Sequence, residues 1–253
     1  KYMDITNQIS SFFKLIEKSK KILILTGAGI STESGLPDFR SDDGFWTKNK
    51  PIMFNEFLND KNSRRLSWER NIELKKKLSL IEPNVAHYFV KKLIDKSVNN
   101  YLITQNIDGL HALTGLDTKK IIEIHGNATK ASCLNCYKEH KLSIFHNAIK
   151  NNIEIPDCDL CGSLVKVSTI SFGQPMNETD FTASMFLSQA CDLFIAIGTS
   201  LSVQPVANLP GLAKEHGAKL IILNRDNTPL DNIADLVING ELKDIVPRIS
   251  DTI

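Results

Sequence analysis

Lys21-Ile-Leu-Ile-Leu-Thr26 runs directly into Gly27-Ala28-Gly29, and this junction sets the fold class. A short apolar run without polar alternation reads as a strand covered on both faces. The small residues after it read as a turn whose backbone amides approach a phosphate. Ahead of it, Ile9, Phe12, Phe13 and Ile16 recur at helical spacing. Further apolar runs follow at Tyr101-Leu-Ile-Thr104, Ile121-Ile-Glu-Ile124, Leu193-Phe-Ile-Ala-Ile197, Lys219-Leu-Ile-Ile-Leu223 and Leu236-Val-Ile238, spaced widely enough for helices between them. Buried strands alternating with helices imply an α/β protein with a Rossmann-like, doubly wound parallel sheet.

Composition narrows the function classes. With 253 residues, 42% hydrophobic and 23% charged, the chain can bury a substantial core as one large unit with a small appendage. Thirty Lys and Arg against 29 Asp and Glu give a formal charge of +1, too little for a global field that recruits nucleic acid or an anionic membrane. No apolar run is long enough to span a bilayer, and Lys1-Tyr2-Met3-Asp4 opens without the apolar core of a secretory signal. The expected compartment is the cytoplasm.

Two segments break the strand–helix rhythm. Residues 127–168 carry Cys133-Leu-Asn-Cys136 and Cys158-Asp-Leu-Cys161. Two such turns supply the four thiolates of a closed tetrahedral Zn²⁺ site, which holds structure and leaves no position open for chemistry; the alternatives are two disulfides or unmetallated thiols. Cys191 falls in an apolar run and reads as core. Residues 41–83, with Phe45, Trp46, Phe54, Phe57 and Trp68, read as a helical cover beside the cofactor, and their charges (Arg64, Arg65, Glu73, Lys75, Lys76, Lys77) as a solvated helix face. The expected domains are therefore a nucleotide-binding unit of residues 1–40, 84–126 and 169–253, and a small unit joining the cover to a zinc ribbon.

The polar residues that carry chemistry sit at strand ends. Gly27-Ala28-Gly29 lacks the full dinucleotide fingerprint, since Ile30-Ser31-Thr32 follows, and alone it reads equally as a structural turn. Its continuation to Arg40 adds small residues, a fixed cation and the expectation of a helix N-terminus. Gly198-Thr199-Ser200 forms a second such loop after another strand, and two loops at two strand ends imply a dinucleotide. Between them lie Thr104-Gln105-Asn106-Ile107-Asp108-Gly109-Leu110-His111 and Glu123-Ile124-His125-Gly126. His125 is the candidate general base, with Gly126 leaving room for a ligand. No Ser-His-Asp arrangement is evident, so acyl-enzyme hydrolysis has little support.

Taken in order, Gly27-Ala-Gly-Ile-Ser31, Ser34-Gly-Leu-Pro-Asp-Phe-Arg40, Thr104-Gln-Asn-Ile-Asp-Gly-Leu-His111, His125-Gly126, the cysteine pairs, Phe172-Gly173 and Gly198-Thr-Ser200 resemble the sirtuins over practically the whole chain. The resemblance implies NAD⁺-consuming removal of an acyl group from protein lysine. The acyl oxygen attacks the nicotinamide ribose, nicotinamide leaves, and His125 activates a ribose hydroxyl, giving free lysine and 2′-O-acyl-ADP-ribose. It further implies that Phe39 shields the reacting centre from water, that Ile107 and Asp108 hold the nicotinamide carboxamide, and that Gln105 and Asn106 order the ribose and water. Gly27, Ala28, Gly29, Thr32, Arg40, Thr199 and Ser200 would surround the phosphates, Asn224 the adenosine ribose and Leu242 the adenine. The acyl-lysine peptide would add as a strand between Ile170, Phe172 and Gly173 on one side and Val203 on the other.

The chain departs from the sirtuin pattern at Gln174, usually glutamate, and at Lys166-Val167-Ser168-Thr169-Ile170, usually Arg-Pro-x-Val-Val. Ser67-Trp68-Glu69-Arg70-Asn71 is similar to the branch with the mitochondrial long-acyl and lipoamide-type enzymes, or simply packs and caps a helix. Phe54, Phe57, Leu66 and Trp68 favour neutral acyl chains longer than acetyl. Competing functions are ADP-ribosyl transfer to protein, NAD⁺ hydrolysis, and a non-catalytic NAD⁺-sensing interaction module.

Overall fold

The computed structural model describes residues 5–37 and 50–250. The strand run at 21–26 is β1 (Ile22–Thr26), and it lies inside a six-stranded, all-parallel sheet. The other members are β2 (Tyr101–Thr104), β3 (Ile121–Glu123), β7 (Leu193–Ile197), β8 (Lys219–Asn224) and β9 (Leu236–Asn239). The order across the sheet is β3-β2-β1-β7-β8-β9. Counting only these six in chain order gives 3-2-1-4-5-6, the dinucleotide-binding order. Its reversal point lies between β1 and β7, so a crevice is expected beyond their carboxyl ends.

The apolar strands divide strictly by pleat. Ile22 and Ile24 of β1, Leu193, Ile195 and Ile197 of β7, and Ile221 and Leu223 of β8 face one core. Leu23, Leu25, Phe194, Ala196, Leu220 and Ile222 face the other. The first core is closed by α1 (Ile5–Lys18), α4 (Val85–Asp95) and α9 (Leu242–Ser250), through residues such as Phe12, Phe89, Leu93 and Val246. The second is closed by α7 (Glu178–Ala190) and α8 (Leu209–Glu215). Two covered faces explain why these strands show no alternation. Cys191 is buried there, its thiol on the Ser188 carbonyl at 3.3 Å.

The remaining elements make a third core. β4 (Gly126–Cys133), β5 (Glu139–His140) and β6 (Val165–Thr169) form a separate antiparallel sheet in the order β5-β4-β6. It packs with α6 (Leu142–Lys150) and with α3 (Lys61–Leu78), which follows the short α2 (Phe54–Asn59). Trp68 is 1% exposed and stacks on Phe145 at 4.5 Å between ring centroids. The charged face of α3 is solvated, with surface pairs Arg65–Glu69 and Lys76–Glu73. Among the described residues no helix is long and apolar enough to cross a membrane.

Candidate active site

The two glycine loops interlock at the sheet's reversal point. The Gly29 amide donates to the Gly198 carbonyl at 2.8 Å, and the Gly27 amide to the Ile197 carbonyl at 3.3 Å. A Cβ on Gly27 would lie 2.7 Å from the Thr199 Cβ, and one on Gly198, where φ is +60°, would lie 2.5 Å from the Ile30 amide nitrogen. These glycines are therefore demanded by backbone meeting backbone as well as by any phosphate. In place of the expected α-helix after the first loop, two 3-10 turns, Ala28–Ile30 and Thr32–Ser34, fill the described residues.

At the end of β2 the chain turns through Gln105, Asn106, Ile107 and Asp108 into the short α5 (Leu110–Leu113), and hydrogen bonds hold several of its polar side-chain atoms. Gln105 Oε1 accepts from the Thr199 hydroxyl at 2.7 Å, linking this turn to the second glycine loop. The Ser31 hydroxyl is a hub: it donates to Asp108 Oδ2 at 2.7 Å and accepts from Asn106 Nδ2 at 3.1 Å. His87 faces the same oxygen at 3.4 Å. The Asn84 amide donates to His87 Nδ1, closing a capping box at the start of α4, so Nε2 carries the proton and donates to Ser31. Burial raises the Asp108 carboxyl above its ordinary value, against the lowering pull of Leu110 and Ser31. Burial also drives His87 down to about 4, which keeps it neutral. Asn106 Oδ1 is buried with no partner among the described residues, and an orphaned acceptor at a crevice floor fits a ligand that donates a hydrogen bond.

His125 follows β3. Its Nδ1 lies 3.1 Å from the Gln105 carbonyl oxygen. A carbonyl only accepts, so Nδ1 bears the proton and Nε2 keeps the lone pair of a base. Burial lowers the ring's pKa, holding it neutral. Gly126 has a different role from the one its sequence position implied. With φ of +79°, a Cβ there would lie 1.9 Å from the Ser168 carbonyl oxygen, so the glycine admits β6 and makes no room for a ligand.

Three cavities converge on this segment. The first is lined by Gly27, Ala28, Gly29, Thr32, Gln105, Asn106, His125, Thr199, Ser200, Asn224 and Leu242, with Val203 at one end. The second is bounded by Ser31, Leu36, Pro37, Asn106, Ile107 and Asp108. The third lies between α2, α3 and the small sheet, lined by His125, Ile107, Ile170, Phe172, Gly173 and Val203 together with Ile52, Phe57, Leu74, Ala128 and Val167. Gln105 and His125 border the first and third, Asn106 the first and second, and Ile107 the second and third.

Away from these cavities the four cysteines converge. Cys133 and Cys161 sulfurs lie 3.5 Å apart, Cys136 and Cys158 sulfurs 3.6 Å, and all four lie within 4.8 Å of one another with no disulfide. Metal–sulfur bonds of about 2.3 Å in a tetrahedron put sulfurs just under 4 Å apart, and the Asn135 amide points at Cys133 Sγ at 3.4 Å. The donor set and spacing fit structural Zn²⁺.

A family model, described as the Sir2 family, matches residues 27–205. The chain belongs to the Sir2 family, the sirtuins. An NAD-dependent protein deacetylase of Rhodopseudomonas palustris is 42% identical over 228 residues, covering 90% of each chain. NAD-dependent protein deacylase 2 of Archaeoglobus fulgidus is 38% identical, covering 96% of this chain and 95% of its own. A solved Sir2 bound to acetylated peptide is 31% identical with a TM-score of 0.84, covering 96% of this chain and 98% of that one.

This sirtuin gathers the residues expected from its sequence, with instructive exceptions. Phe39 and Arg40 lie outside the described residues. Trp68 belongs to the small core, and of Phe54, Phe57, Leu66 and Trp68 only Phe57 lines the third cavity. Arg70 borders the second and third cavities, its Nη1 on the Lys50 carbonyl at 2.7 Å. Asn71 is buried, bonded to the Ala128 carbonyl and His146. Ser31 and His87 were missed as site residues, although Ser31 lies inside the quoted glycine stretch and His87 stands three places after the N-cap Asn84. Gln174 closes the 171–174 turn by accepting from the Ser171 amide at 3.1 Å.

Proposed function

We propose that His125 is the general base of an NAD⁺-dependent protein-lysine deacylation, carried out where the three cavities meet. The enzyme moves an acyl group from lysine to the ADP-ribose part of NAD⁺, consuming one water and releasing nicotinamide and free lysine. The observation that carries the residue assignment is that His125 and Gln105 wall both the glycine-loop groove and the apolar cavity. One ligand on each side therefore meets across a single imidazole.

NAD⁺, when bound, supplies an electrophilic ribose carbon and a leaving group. The interlocked loops at 27–29 and 198–200 cradle its phosphates, with Thr32 beside them, and Asn224 and Leu242 sit at the adenosine end. Asp108, anchored by Ser31 and Leu110, and Ile107, whose carbonyl takes the Ala128 amide at 2.8 Å, hold the carboxamide in the second cavity. Asn106 presents its unpartnered Oδ1 towards ribose or an ordered water. His125 Nε2 removes the proton of the ribose hydroxyl that captures the acyl group, while Nδ1–H stays on Gln105. Ile170, Phe172, Gly173 and Val203 take the substrate backbone as an added strand, and Phe39 would exclude water. Four free thiols committed to metal suit a reducing compartment, and the cytoplasm is the proposed one.

His125→Ala tests the assignment. With an acetylated peptide and NAD⁺, mass spectrometry is expected to show turnover reduced by roughly 10²–10⁴ while calorimetry still detects NAD⁺ binding. Near-parental turnover removes His125 from the chemistry, and ADP-ribosylated protein in place of acyl-ADP-ribose assigns the site to transfer.

A further inference from the structure

Lys166, on β6, departs from the sirtuin pattern and takes no part in the chemistry above. It is 3% exposed, and burial pushes its amine down to about 7, with no counter-charge contributing among the described residues. Holding an ammonium out of water without a partner charge disfavours the fold. A methionine would fill the same channel without that penalty, so what the amine adds is its hydrogen bonds.

Those bonds run forward along its own strand. Nζ donates to the Thr169 carbonyl at 2.5 Å and the Val167 carbonyl at 3.3 Å, lies 3.5 Å from Thr169 Oγ1, and sits 5.9 Å from the centroid of the Phe57 ring on α2. Thr169 is the last residue of β6 and pairs with Gly126, next to His125. The following amide, Ile170 N–H, donates to the His125 carbonyl at 2.9 Å, and further along the Phe172 carbonyl accepts from the Phe54 amide at 2.9 Å. Residues 170–173 are thus hung between His125 and α2, and Lys166 grips the residue from which they start.

We propose that Lys166 is a positioning residue for the acyl-lysine substrate: by gripping the Thr169 carbonyl at the end of β6 it holds Ile170, Phe172 and Gly173 in the shape that receives the peptide backbone. This rests on the reading of those residues as the peptide-binding edge. The buried amine trades fold stability for a pre-formed edge, so its removal affects the two substrates unequally.

Lys166→Met, assayed with an acetylated peptide, is expected to raise the peptide KM about tenfold, the loss of one charge-assisted hydrogen bond. The NAD⁺ KM stays within about twofold, and the melting temperature is unchanged or higher. Lys166→Arg, which keeps cation and donors, restores most of the peptide affinity. Gly173→Val is the control, because Gly173 has φ of +80° and a β-branched residue distorts the edge directly. If Gly173→Val raises the peptide KM and Lys166→Met does not, the Lys166 assignment fails. If neither moves it, the peptide edge itself is misplaced. A Lys166→Met protein that does not fold, or whose two KM values rise together, overturns the proposal and makes Lys166 a fold element.

Discussion

Replacing Ser31 with alanine deletes one hydroxyl and takes a partner from each of three buried groups. Ser31 is 2% exposed, so no bulk water replaces its oxygen. Asp108 keeps the Leu110 amide at 2.9 Å on Oδ1 and the bond to its own backbone amide, and Asn106 Nδ2 and His87 Nε2 lose the Ser31 oxygen. A hydrogen bond to a charged group is worth about 1.5–3 kcal/mol, which corresponds to roughly ten- to a hundredfold in the affinity that Asp108 and Asn106 confer. The expected result is a rise of that size in the NAD⁺ KM and in the nicotinamide inhibition constant, with the peptide KM nearly unchanged. The pH dependence has a definite sign. Burial already raises Asp108 above its ordinary 3.8, and Ser31 is one of the groups pulling it back. Without Ser31 the carboxyl rises further, so the acidic limb of kcat/KM for NAD⁺ moves to higher pH. An acid whose folded pKa exceeds its unfolded value stabilises the fold below the unfolded pKa and loses that contribution as pH rises through the folded one. The variant's stability deficit therefore grows with pH above about 4. Steady-state kinetics at several pH values and thermal melts measure both effects. Inhibition and KM within twofold of the parent, with an unmoved limb, refute the hub role of Ser31.

Elemental analysis is expected to find one zinc per chain. Stripping it, or Cys158→Ser, should loosen the core that Cys133 and Cys158 share with Trp68 and Phe145, read as a change in tryptophan fluorescence; an equally stable metal-free protein refutes the structural role. The third cavity, about 410 Å³ and walled by Ile52, Phe57, Leu74, Ala128 and Val167, favours butyryl- over acetyl-lysine by up to about fourfold per added methylene at roughly 0.8 kcal/mol each. Succinyl should rank last, since Arg70 is engaged with the Lys50 carbonyl; a succinyl preference abolished by Arg70→Met reverses that polarity.

Much of the molecule was legible because its signals are local. The central strands β1, β7 and β8 are apolar runs five or six residues long, and a strand covered on both faces can be little else. The two Cys-x-x-Cys turns carry their geometry within four residues each, and one shared cation satisfies both. His125, Asn106 and Asp108 stood out because they follow strands, where an α/β sheet collects its ligands. The covering region was less legible. Trp68 and Phe57 are both large, apolar and on neighbouring helices, yet one stacks in the small core and the other lines the third cavity. Which way each helix faces depends on a partner sheet more than fifty residues later in the chain.

The sequence by itself determined the fold class and the two cysteine pairs that fit zinc, and it pointed to His125 as the proposed base, since these rest on residue type and short spacing. Tertiary structure alone decided why Gly126 is glycine, that Ser31 and His87 support Asp108, and that Lys166 is buried against Thr169 without a counter-charge among the described residues. The physical reason is the same in each case. Close backbone approach, proton direction and desolvation are properties of pairs brought together from distant parts of the chain, and no local pattern of residue types encodes them.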